Sequence, residues 1–278
     1  MFKKVVIGAP IRNQHLQNTG GKNLIIPYYL RGISNLFYPK RYLSVVFLYN
    51  GKPGEDDTLQ QLQTFKKRYA DEYSDIIIKS TYYHNPPYLR VPEFTDYTYI
   101  ATVRNSHLSL CMSTDSDYLF SVDSDVILKA CTLTNLLRRN EDMVSALICN
   151  AIKPPKIWNI MKKVPVHTPV KDESGSIIGI TIKEGFVHIT DFPVRGLLPV
   201  DITGACTLIR KSLLWDNVNK KLNNLYMHHQ QGEDIPFCKK LKEKGINIYC
   251  DVEEKLHHIM DMKKLESFKS IAEAYYDE

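Results

Sequence analysis

The sequence predicts an α/β protein with a mixed, mostly parallel central sheet flanked by helices. Two observations lead to this fold class. Short apolar runs alternate with segments of helical periodicity through the first half of the chain, which is typical of strand–helix–strand units around a parallel sheet. Hydrophobic residues make up 44% of the 278 residues, enough to bury a large core in one domain or two closely fused lobes.

The elements of the first half follow from this alternation. Strands are predicted where a run is apolar and rich in β-branched residues, and helices where apolar residues recur every three or four positions. The predicted strands are KKVVIG, RYLSVVFLYN, DIIIKS, YLFSV and DMVSALICN. The predicted helices lie near 23–35, at TLQQLQTFKKRYADEY, from about Asp96 to Thr114, and at LTNLLRRN.

The second half of the chain lacks the regular alternation of apolar runs and helical segments. Residues near 150–175 are rich in proline and lysine and predict a long loop or flap. IIGITIK and FVHITDF predict a hairpin about a turn at EG, and LPVDITGACTLIRKSLL predicts a strand that enters a helix. A helix in GEDIPFCKKLKEKG ends at Gly245, INIYCD is the last strand, and a polar helix begins near Lys263.

Composition limits the functional classes. Lysine and arginine outnumber aspartate and glutamate by 36 to 31, a mild excess that suits anionic ligands but is too small for a nucleic-acid-binding tail. The six cysteines lack metal-finger spacing and predict reduced core thiols in a cytoplasmic protein. No segment reaches the roughly 18 apolar residues of a membrane span, so any membrane association is expected to be peripheral. The Lys-, Asn- and Ile-rich composition is typical of an AT-rich bacterium or phage, and a phage protein would act in the host cytoplasm.

Two carboxylates follow the apolar strand in DYLFSVDSDVIL. Asp123 and Asp125 would point to opposite faces if the strand continued, whereas a turn after Val122 would let both approach one centre. Buried carboxylates without partners are costly, and a divalent cation such as Mg²⁺ or Mn²⁺ removes that cost. The alternative, that Asp123 caps a following helix and Asp125 is solvated, stays open.

Arg104 lies among apolar positions of the preceding helix, four residues after Ile100 and four before Leu108. A charged side chain in such a stripe needs an anionic partner. Either Arg104 forms an internal salt bridge, for example with Asp123 or Asp115, or it braces the metal-site carboxylates or contacts a diphosphate.

A second group of ionisable residues lies near the end of the chain. Glu233 and Asp234 open a helix, where the exposed N–H groups favour carboxylates. Asp234 shares a stripe with Cys238 and Leu241, so its side chain is expected to lean toward the core, where it could act as a general base. His257 and His258 follow the last strand and either supply a metal ligand or are surface residues.

Together these segments resemble the nucleotide-sugar-dependent glycosyltransferases of the GT-A fold, a family-2-like group. The similarity spans most of the chain and looks like the branch of fungal mannan-polymerase-type transferases with their bacterial and phage relatives. It rests on the segments GAPIRN, YPKRYLSVVFLYNG with DDT, ATVRNSHLSLCMSTDSDYLFSVDSDVIL, TGACTLIRKSLL, GEDIPFCKKLKEKGINIYCD and HHI. The resemblance implies one Rossmann-like GT-A domain over 1–278, with a nucleotide-sugar-binding half at 1–130 and an acceptor and catalytic half at 131–278, which contains a smaller β/α part.

The resemblance also implies roles for individual residues. The residues that match a metal site are Asp123, Asp125 and His258, with Asp125 the more direct ligand and Asp123 between the metal and the ribose. Those that match nucleotide-sugar contacts are Pro10, Arg12, Asn13, Asp57, Arg104, Asp123 and Ser124. Asp234, with Glu233 as its neighbour, matches the base of an inverting reaction.

The predicted function is therefore metal-dependent transfer of a hexosyl or pentosyl group from a UDP- or GDP-linked sugar to a hydroxyl of a glycan, a protein or a modified nucleic acid. A sugar-nucleotide nucleotidyltransferase and a non-catalytic binding protein for glycans or nucleotide sugars are the alternatives. A haloacid-dehalogenase-like phosphatase is disfavoured because that class has its aspartate motif on the first strand, whereas four strand candidates precede it here. Whether the reaction inverts or retains the anomeric centre stays open.

Overall fold

The structure is a computed structural model that describes residues 2–12, 22–52, 54, 56–81, 97–150, 156–216, 218–219 and 221–270. The helices, in chain order, are α1 Ile26–Ser34, α2 Thr58–Tyr69, α3 Thr98–Met112, α4 Thr132–Arg139, α5 Asp234–Glu243 and α6 Met262–Lys269. The strands are β1 Val5–Ile11, β2 Leu43–Tyr49, β3 Asp75–Ser80, β4 Tyr118–Val122, β5 Val126–Ile127, β6 Met143–Ile148, β7 Ile160–Lys171, β8 Ile177–His188, β9 Leu197–Val200, β10 Ile202–Thr203, β11 Cys206–Arg210, β12 Trp215–Asp216, β13 Lys221–Leu222 and β14 Ile248–His258.

The central sheet has the order β3-β2-β1-β4-β11-β6-β14-β5, with β9 also paired to β14. The first four strands in this order are parallel, as predicted, and β6 and β14 are parallel to each other. β11 is antiparallel and lies between β4 and β6. Because parallel strands end at the same edge of a sheet, the carboxyl ends of β1, β2 and β4 form one edge, where ligands of such sheets bind.

Alternate residues of the strands supply two apolar layers, one on each face of the sheet. On β1, Val5 and Ile7 pack with α1, α2 and α4, whereas Val6 packs with α3 and α5. All seven residues of β2 are buried, which explains its continuous hydrophobic run. All six cysteines are free thiols, as the sequence predicts. Within the described ranges no helix is both long enough and apolar enough to cross a membrane.

The flap and the hairpin differ from the sequence-based expectation. Residues 160–171, expected to be a loop, form β7, which pairs with β8 along almost its whole length. Glu184 and Gly185, expected to be the turn, lie inside β8 opposite Pro165 and Val164. The prolines of β7 were misleading because proline is tolerated on an edge strand.

The true turn of this hairpin is 172–176. Oδ1 of Asp172 accepts hydrogen bonds from the backbone N–H groups of Ser174 at 2.9 Å and Ser176 at 3.0 Å. Gly175 takes a left-handed φ of 84° that glycine adopts without cost. An Asx turn of this kind is a strong turn signal, and it outweighs the EG pair.

Two further expectations were wrong in detail. The segment expected to be a strand entering a helix forms β9, β10 and β11, followed by a single 3₁₀ turn at Lys211–Leu213. The last strand, expected to end at Asp251, runs to His258 through an irregularity in its pairing with β6 between Asp251 and Lys255. The end of α5 is as predicted, since Gly245 has a left-handed φ of 79° and its N–H bonds to the carbonyl of Lys242.

Candidate active site

Asp123 and Asp125 lie in a turn at the carboxyl end of β4. The carbonyl of Asp123 accepts a hydrogen bond from the N–H of Val126 at 2.9 Å, and the N–H of Asp123 donates to the carbonyl of Ala205 at 2.7 Å. The chain therefore turns after Val122 and continues into β5. The alternative in which Asp123 caps a helix is wrong, because the next helix begins only at Thr132.

Arg104 joins this turn to the start of α5. Its Nε donates to Oε1 of Glu233 at 2.7 Å, and its Nη1 and Nη2 approach the two carboxylate oxygens of Asp123 at 3.0 Å each. Burial works to lower the pKa of Arg104, but the charges of Asp123 and Glu233 more than offset it, and the pKa is raised. Arg104 is a fixed cation that holds two distant segments together; Asp115, the other partner considered, instead contacts Lys4.

Asp234 lies beside this cluster with different electrostatics. Burial raises the pKa of Asp234 to about 8, the negative charge of Glu233 adds to the effect, and Arg104 opposes it. Burial likewise raises the pKa of Asp123. Glu233 is engaged by Arg104, so the two adjacent carboxylates have different tasks. A carboxyl group with a pKa near the working pH suits general-base chemistry.

The backbone opposite Asp234 is shaped for it. A Cβ at Gly204 would lie 2.2 Å from Oδ2 of Asp234, so any side chain there would have to displace this carboxylate. The next residue, Ala205, has a φ of 65°, a left-handed conformation that is strained for a residue with a side chain. Strain of this kind is often concentrated at functional sites, and here it lies between the Asp123 turn and the Asp234 carboxylate.

Asp125 and His258 form a second pair at the same edge. His258 Nε2 lies 3.1 Å from Oδ1 of Asp125, and its Nδ1 lies 3.0 Å from Oδ1 of Asn150. Burial works to lower the pKa of His258, but Asp125 more than offsets it and the pKa is raised. His257 instead packs its ring 5.6 Å from that of Phe268, so His258 is the histidine that reaches the carboxylates.

The Asp125–His258 pair fits a divalent cation. A carboxylate oxygen and an imidazole nitrogen are suitable ligands for Mn²⁺ and related ions, which commonly take further ligands from phosphate and water. Across the described residues no three His, Cys, Asp or Glu side chains come close enough to form a complete protein-only metal site. Both carboxylate oxygens of Asp123 contact Arg104, so the side chains that could hold an ion here are Asp125 and His258.

The ends of β1 and β2 form a polar recess. Tyr99 Oη accepts hydrogen bonds from Nη1 of Arg12 at 3.2 Å and from Nδ2 of Asn50 at 3.0 Å. Nε of Arg12 and Oδ1 of Asn50 are buried and have no hydrogen-bond partner among the residues that the structure describes. Buried polar atoms without partners are costly, so this donor and acceptor are suited to a ligand. Pro10 lies on the same strand end, and Asn13 lies outside the described residues.

The remaining predicted contacts lie nearby with other partners. Oδ1 of Asp57 accepts hydrogen bonds from the N–H of Asn23 and from Nε2 of Gln61, both at 2.8 Å, and so ties the segment before α1 to α2. Ser124 lies in the turn between the two aspartates.

Sequence reasoning missed four residues of this site: Asn50, Tyr99, Gly204 and Tyr226. The Arg104 guanidinium lies 5.5 Å from the centre of the Tyr226 ring. A polar residue directly after a fully buried strand was the signal available for Asn50, and a glycine directly after the buried strand Ile202–Thr203 was the signal for Gly204. Tyr99 and Tyr226 gave none, because their neighbours in space are far away in sequence.

No family model matches the sequence. The chain is 22% identical over 243 residues to procollagen-lysine,2-oxoglutarate 5-dioxygenase 1 of Gallus gallus, a match that covers 86% of this chain and 29% of that protein. Among solved structures, S. aureus TarS 1–349 is similar with a TM-score of 0.51 at 15% identity, over 92% of this chain and 60% of that one. The mannosyltransferase PcManGT of Pyrobaculum calidifontis, solved with GDP-Man and Mn²⁺, matches with a TM-score of 0.37 at 16% identity, over 52% and 35% of the two chains.

The chain thus spans 29% of the curated relative and 60% of the TarS fragment. These structural neighbours are GT-A-type glycosyltransferases. The large, mostly parallel sheet flanked by helices is the GT-A architecture, and the fold predicted from the sequence is confirmed.

Proposed function

We propose that this protein is a glycosyltransferase that moves a sugar from a nucleoside-diphosphate sugar to an acceptor hydroxyl. The single observation that carries the proposal is the buried carboxylate cluster around Arg104. The Arg104 guanidinium lies 3.0 Å from Asp123 and 2.7 Å from Glu233, and the neighbouring Asp234 has a pKa of about 8. The cluster lies at the strand ends where the GT-A fold presents its donor.

The donor nucleotide is expected at the ends of β1 and β2. Nε of Arg12 offers a donor and Oδ1 of Asn50 an acceptor, the complement of a base edge with a carbonyl next to an N–H, as in uracil and guanine. Pro10 lies at the same strand end, and Asp57 supports this region through Asn23. Asn13 remains a proposed contact on the resemblance alone. Ser124 and Asp123 are proposed to contact the ribose and the diphosphate.

The diphosphate would be stabilised by positive charge. A divalent cation held by Asp125 and His258, with Asp123 beside it, would neutralise the charge that develops on the leaving diphosphate. Arg104 keeps Asp123 in place and adds a fixed positive charge to the same region. The requirement for Mn²⁺ or Mg²⁺ is part of this proposal.

Asp234 would act on the acceptor. Its carboxylate takes the proton of the acceptor hydroxyl while the hydroxyl oxygen forms a bond to the anomeric carbon and the bond from that carbon to the diphosphate breaks. Glu233 holds Arg104 and its charge keeps the pKa of Asp234 high. This arrangement supports an inverting reaction, and the acceptor classes remain a glycan, a protein or a modified nucleic acid. Six free thiols suit a cytoplasmic site of action.

The test is a donor screen. Purified protein with Mn²⁺ is incubated with UDP- and GDP-linked hexoses and pentoses, and release of the nucleoside diphosphate is measured. At least one donor should be turned over, and Asp125→Asn should slow release about 100-fold or more. Asp115→Asn, which changes an exposed carboxylate elsewhere, is the matched control and should behave like the wild type.

Two results would count against the proposal. If no donor in the panel released its nucleoside diphosphate with metal present, the transferase assignment would be wrong. Full activity of Asp234→Asn alongside an inactive Asp125→Asn would remove the base assignment and favour a retaining reaction.

A further inference from the structure

The hairpin of β7 and β8, here called the arm, projects from the body of the protein. Only its base is buried: Ile160 and Met161 on β7 and Phe186 on β8 pack into the core. The base is also held by Gln231, whose Nε2 donates to the carbonyl of Phe186, and by the ion pairs of Glu184 with Lys163 and Lys239. Beyond this point both strands are exposed.

The outer part of the arm exposes apolar side chains to solvent, at positions where polar side chains are usual. Ile178, Ile180 and Ile182 alternate along β8 on the face that Phe186 begins, and each is 65% to 66% exposed. Val166 and Val170 of β7 are exposed on the other face of the arm, because they lie opposite Lys183 and Gly179. A two-stranded hairpin is marginally stable alone, and a third strand or a packed face is usually needed. The arm therefore has the composition of a covered element.

The two edges of the arm differ in their ability to pair. The outer edge of β7 carries Pro165 and Pro169, which lack an N–H, and several lysines, and such features resist the addition of a strand. β8 contains no proline and carries four isoleucines. In the part of the chain that the structure describes, no strand pairs with the outer edge of β8. The open side of the arm is therefore β8.

The distribution of charge along the arm favours a second copy of the arm as the partner of β8. The tip has a net negative charge, from Asp172 and Glu173 against Lys171, and the base has a net positive charge, from Lys162, Lys163 and Lys183 against Glu184. A second arm that runs antiparallel places its acidic tip beside the basic base of the first, and the reverse holds at the other end. An acidic, polar tip is unsuited to entering an anionic lipid surface.

We propose that β8 pairs edge to edge, antiparallel, with β8 of a second copy of this chain about a two-fold axis near Ile180. The two arms then form one four-stranded sheet in which the isoleucine rows lie side by side. The same strand serves both copies, as a two-fold interface requires. The dimer does not depend on the reaction that the protein carries out.

The test is the mass of the full chain in solution, measured by sedimentation equilibrium over a range of concentrations. The wild type should show a concentration-dependent dimer, and Ile180→Lys should weaken dimerisation about tenfold or more because a charged lysine on an edge strand opposes pairing. Val194→Lys is the matched control, since Val194 is 81% exposed outside the arm, and it should leave the dimer unchanged. At concentrations low enough for the wild type to be monomeric, thermal unfolding of both variants should match the wild type.

A charge reversal tests the antiparallel arrangement. Lys162→Glu with Lys183→Glu should weaken the dimer, and adding Glu173→Lys should restore it to within about threefold of the wild type. The proposal is overturned if the wild type is monomeric at all concentrations, or if its dimer is unaffected by Ile180→Lys. It is also overturned if a monomeric wild type sediments with phosphatidylglycerol vesicles and Ile180→Lys abolishes that binding, which would identify a lipid surface as the occupant.

Discussion

At the scale of single residues, the pKa of Asp234 determines how activity should vary with pH. Burial raises this pKa to about 8, so the group is mostly protonated at pH 6 and becomes a base only as pH rises. We expect kcat/KM to increase from pH 6 to pH 9 with a midpoint near 8, and Asp234→Asn to lower kcat about 100-fold or more. A flat profile over this range would contradict the assignment.

Gly204 is a residue whose replacement should damage activity without touching substrate. A Cβ there would lie 2.2 Å from Oδ2 of Asp234, so Gly204→Ala must displace the carboxylate. We expect kcat to fall about 100-fold, because a displacement of about 1 Å is enough for such a loss. Gly179→Ala, at an open position, is the control and should retain activity. Equal activity of the two variants would show that Asp234 tolerates the shift.

His107 should make the protein sensitive to acid. It is buried, donates a hydrogen bond from Nε2 to the carbonyl of Val46, and burial lowers its pKa to about 4. Below pH 6.5, the usual pKa of histidine being about 6.5, His107 is protonated in the unfolded chain but stays neutral in the folded protein. The contribution of His107 to stability is therefore constant above pH 6.5 and is lost as the pH falls toward 4.

The expected loss from His107 between pH 7 and pH 5 is about 2 kcal/mol of unfolding free energy. Urea unfolding of the wild type and of His107→Gln at the two pH values measures it. The glutamine can still donate to Val46 but does not titrate, so its stability should fall less over this interval. Parallel losses in the two proteins would exclude His107 as the cause.

The sequence predicted part of this site for a definite reason. Arg104 stood out because a guanidinium in an apolar stripe requires an anion, and the structure supplies Asp123 and Glu233. The recess of Arg12, Asn50 and Tyr99 was only partly foreseen, because Tyr99 comes from α3 and its contacts depend on how that helix crosses two strands. A local sequence pattern can show that a side chain requires a partner, but only the tertiary fold determines which residue becomes that partner.

At the scale of elements, Asn159 links the base of the arm to the site. Its Oδ1 accepts from the N–H of Ile148 at 2.8 Å, and its Nδ2 donates to the carbonyls of Ala146 and Gly204 at 3.0 Å each. One buried side chain thus joins β6, the start of β7 and the glycine that accommodates Asp234.

Removing this link should lower the stability of the protein. We expect Asn159→Ala to reduce the free energy of unfolding by about 2 to 4 kcal/mol, because it leaves several buried backbone groups without partners. The exposed Asn219→Ala is the control, with a change of about 0.5 kcal/mol or less. Urea unfolding measures both. A small effect at Asn159 would mean that water replaces its hydrogen bonds.

The prediction of elements succeeded where periodicity was clear and failed where turn signals competed. All five strands predicted in the first half are present. β1, β2, β4 and β6 are almost entirely buried, which explains their apolar runs, whereas β3 lies at the sheet edge and buries only Ile76. The arm was missed because the prolines at 165 and 169 argued for a loop, although an edge strand tolerates them. The expected turn at Glu184 and Gly185 gave way to one stabilised by Asp172.

At the scale of the whole molecule, the central sheet interleaves the two halves of the sequence. β11 lies between β4 and β6 and pairs with both. A fragment of residues 1–130 should therefore have an open edge at β4 and lack the strand that covers it. We expect it to show no cooperative thermal transition by circular dichroism, whereas the full chain should unfold in one transition. A cooperative fragment would mean that the first half is an autonomous unit.

The position of β11 in the sequence also determines when the central sheet can be completed during synthesis on the ribosome. β4 is complete at Val122, but its neighbour begins at Cys206, so the nascent sheet must wait for about eighty more residues, roughly 4 to 16 seconds of synthesis at usual rates. During that interval the apolar strands of the first half have an unprotected edge. Chaperone demand and aggregation during expression should therefore be governed by the speed at which residues 123–210 are translated.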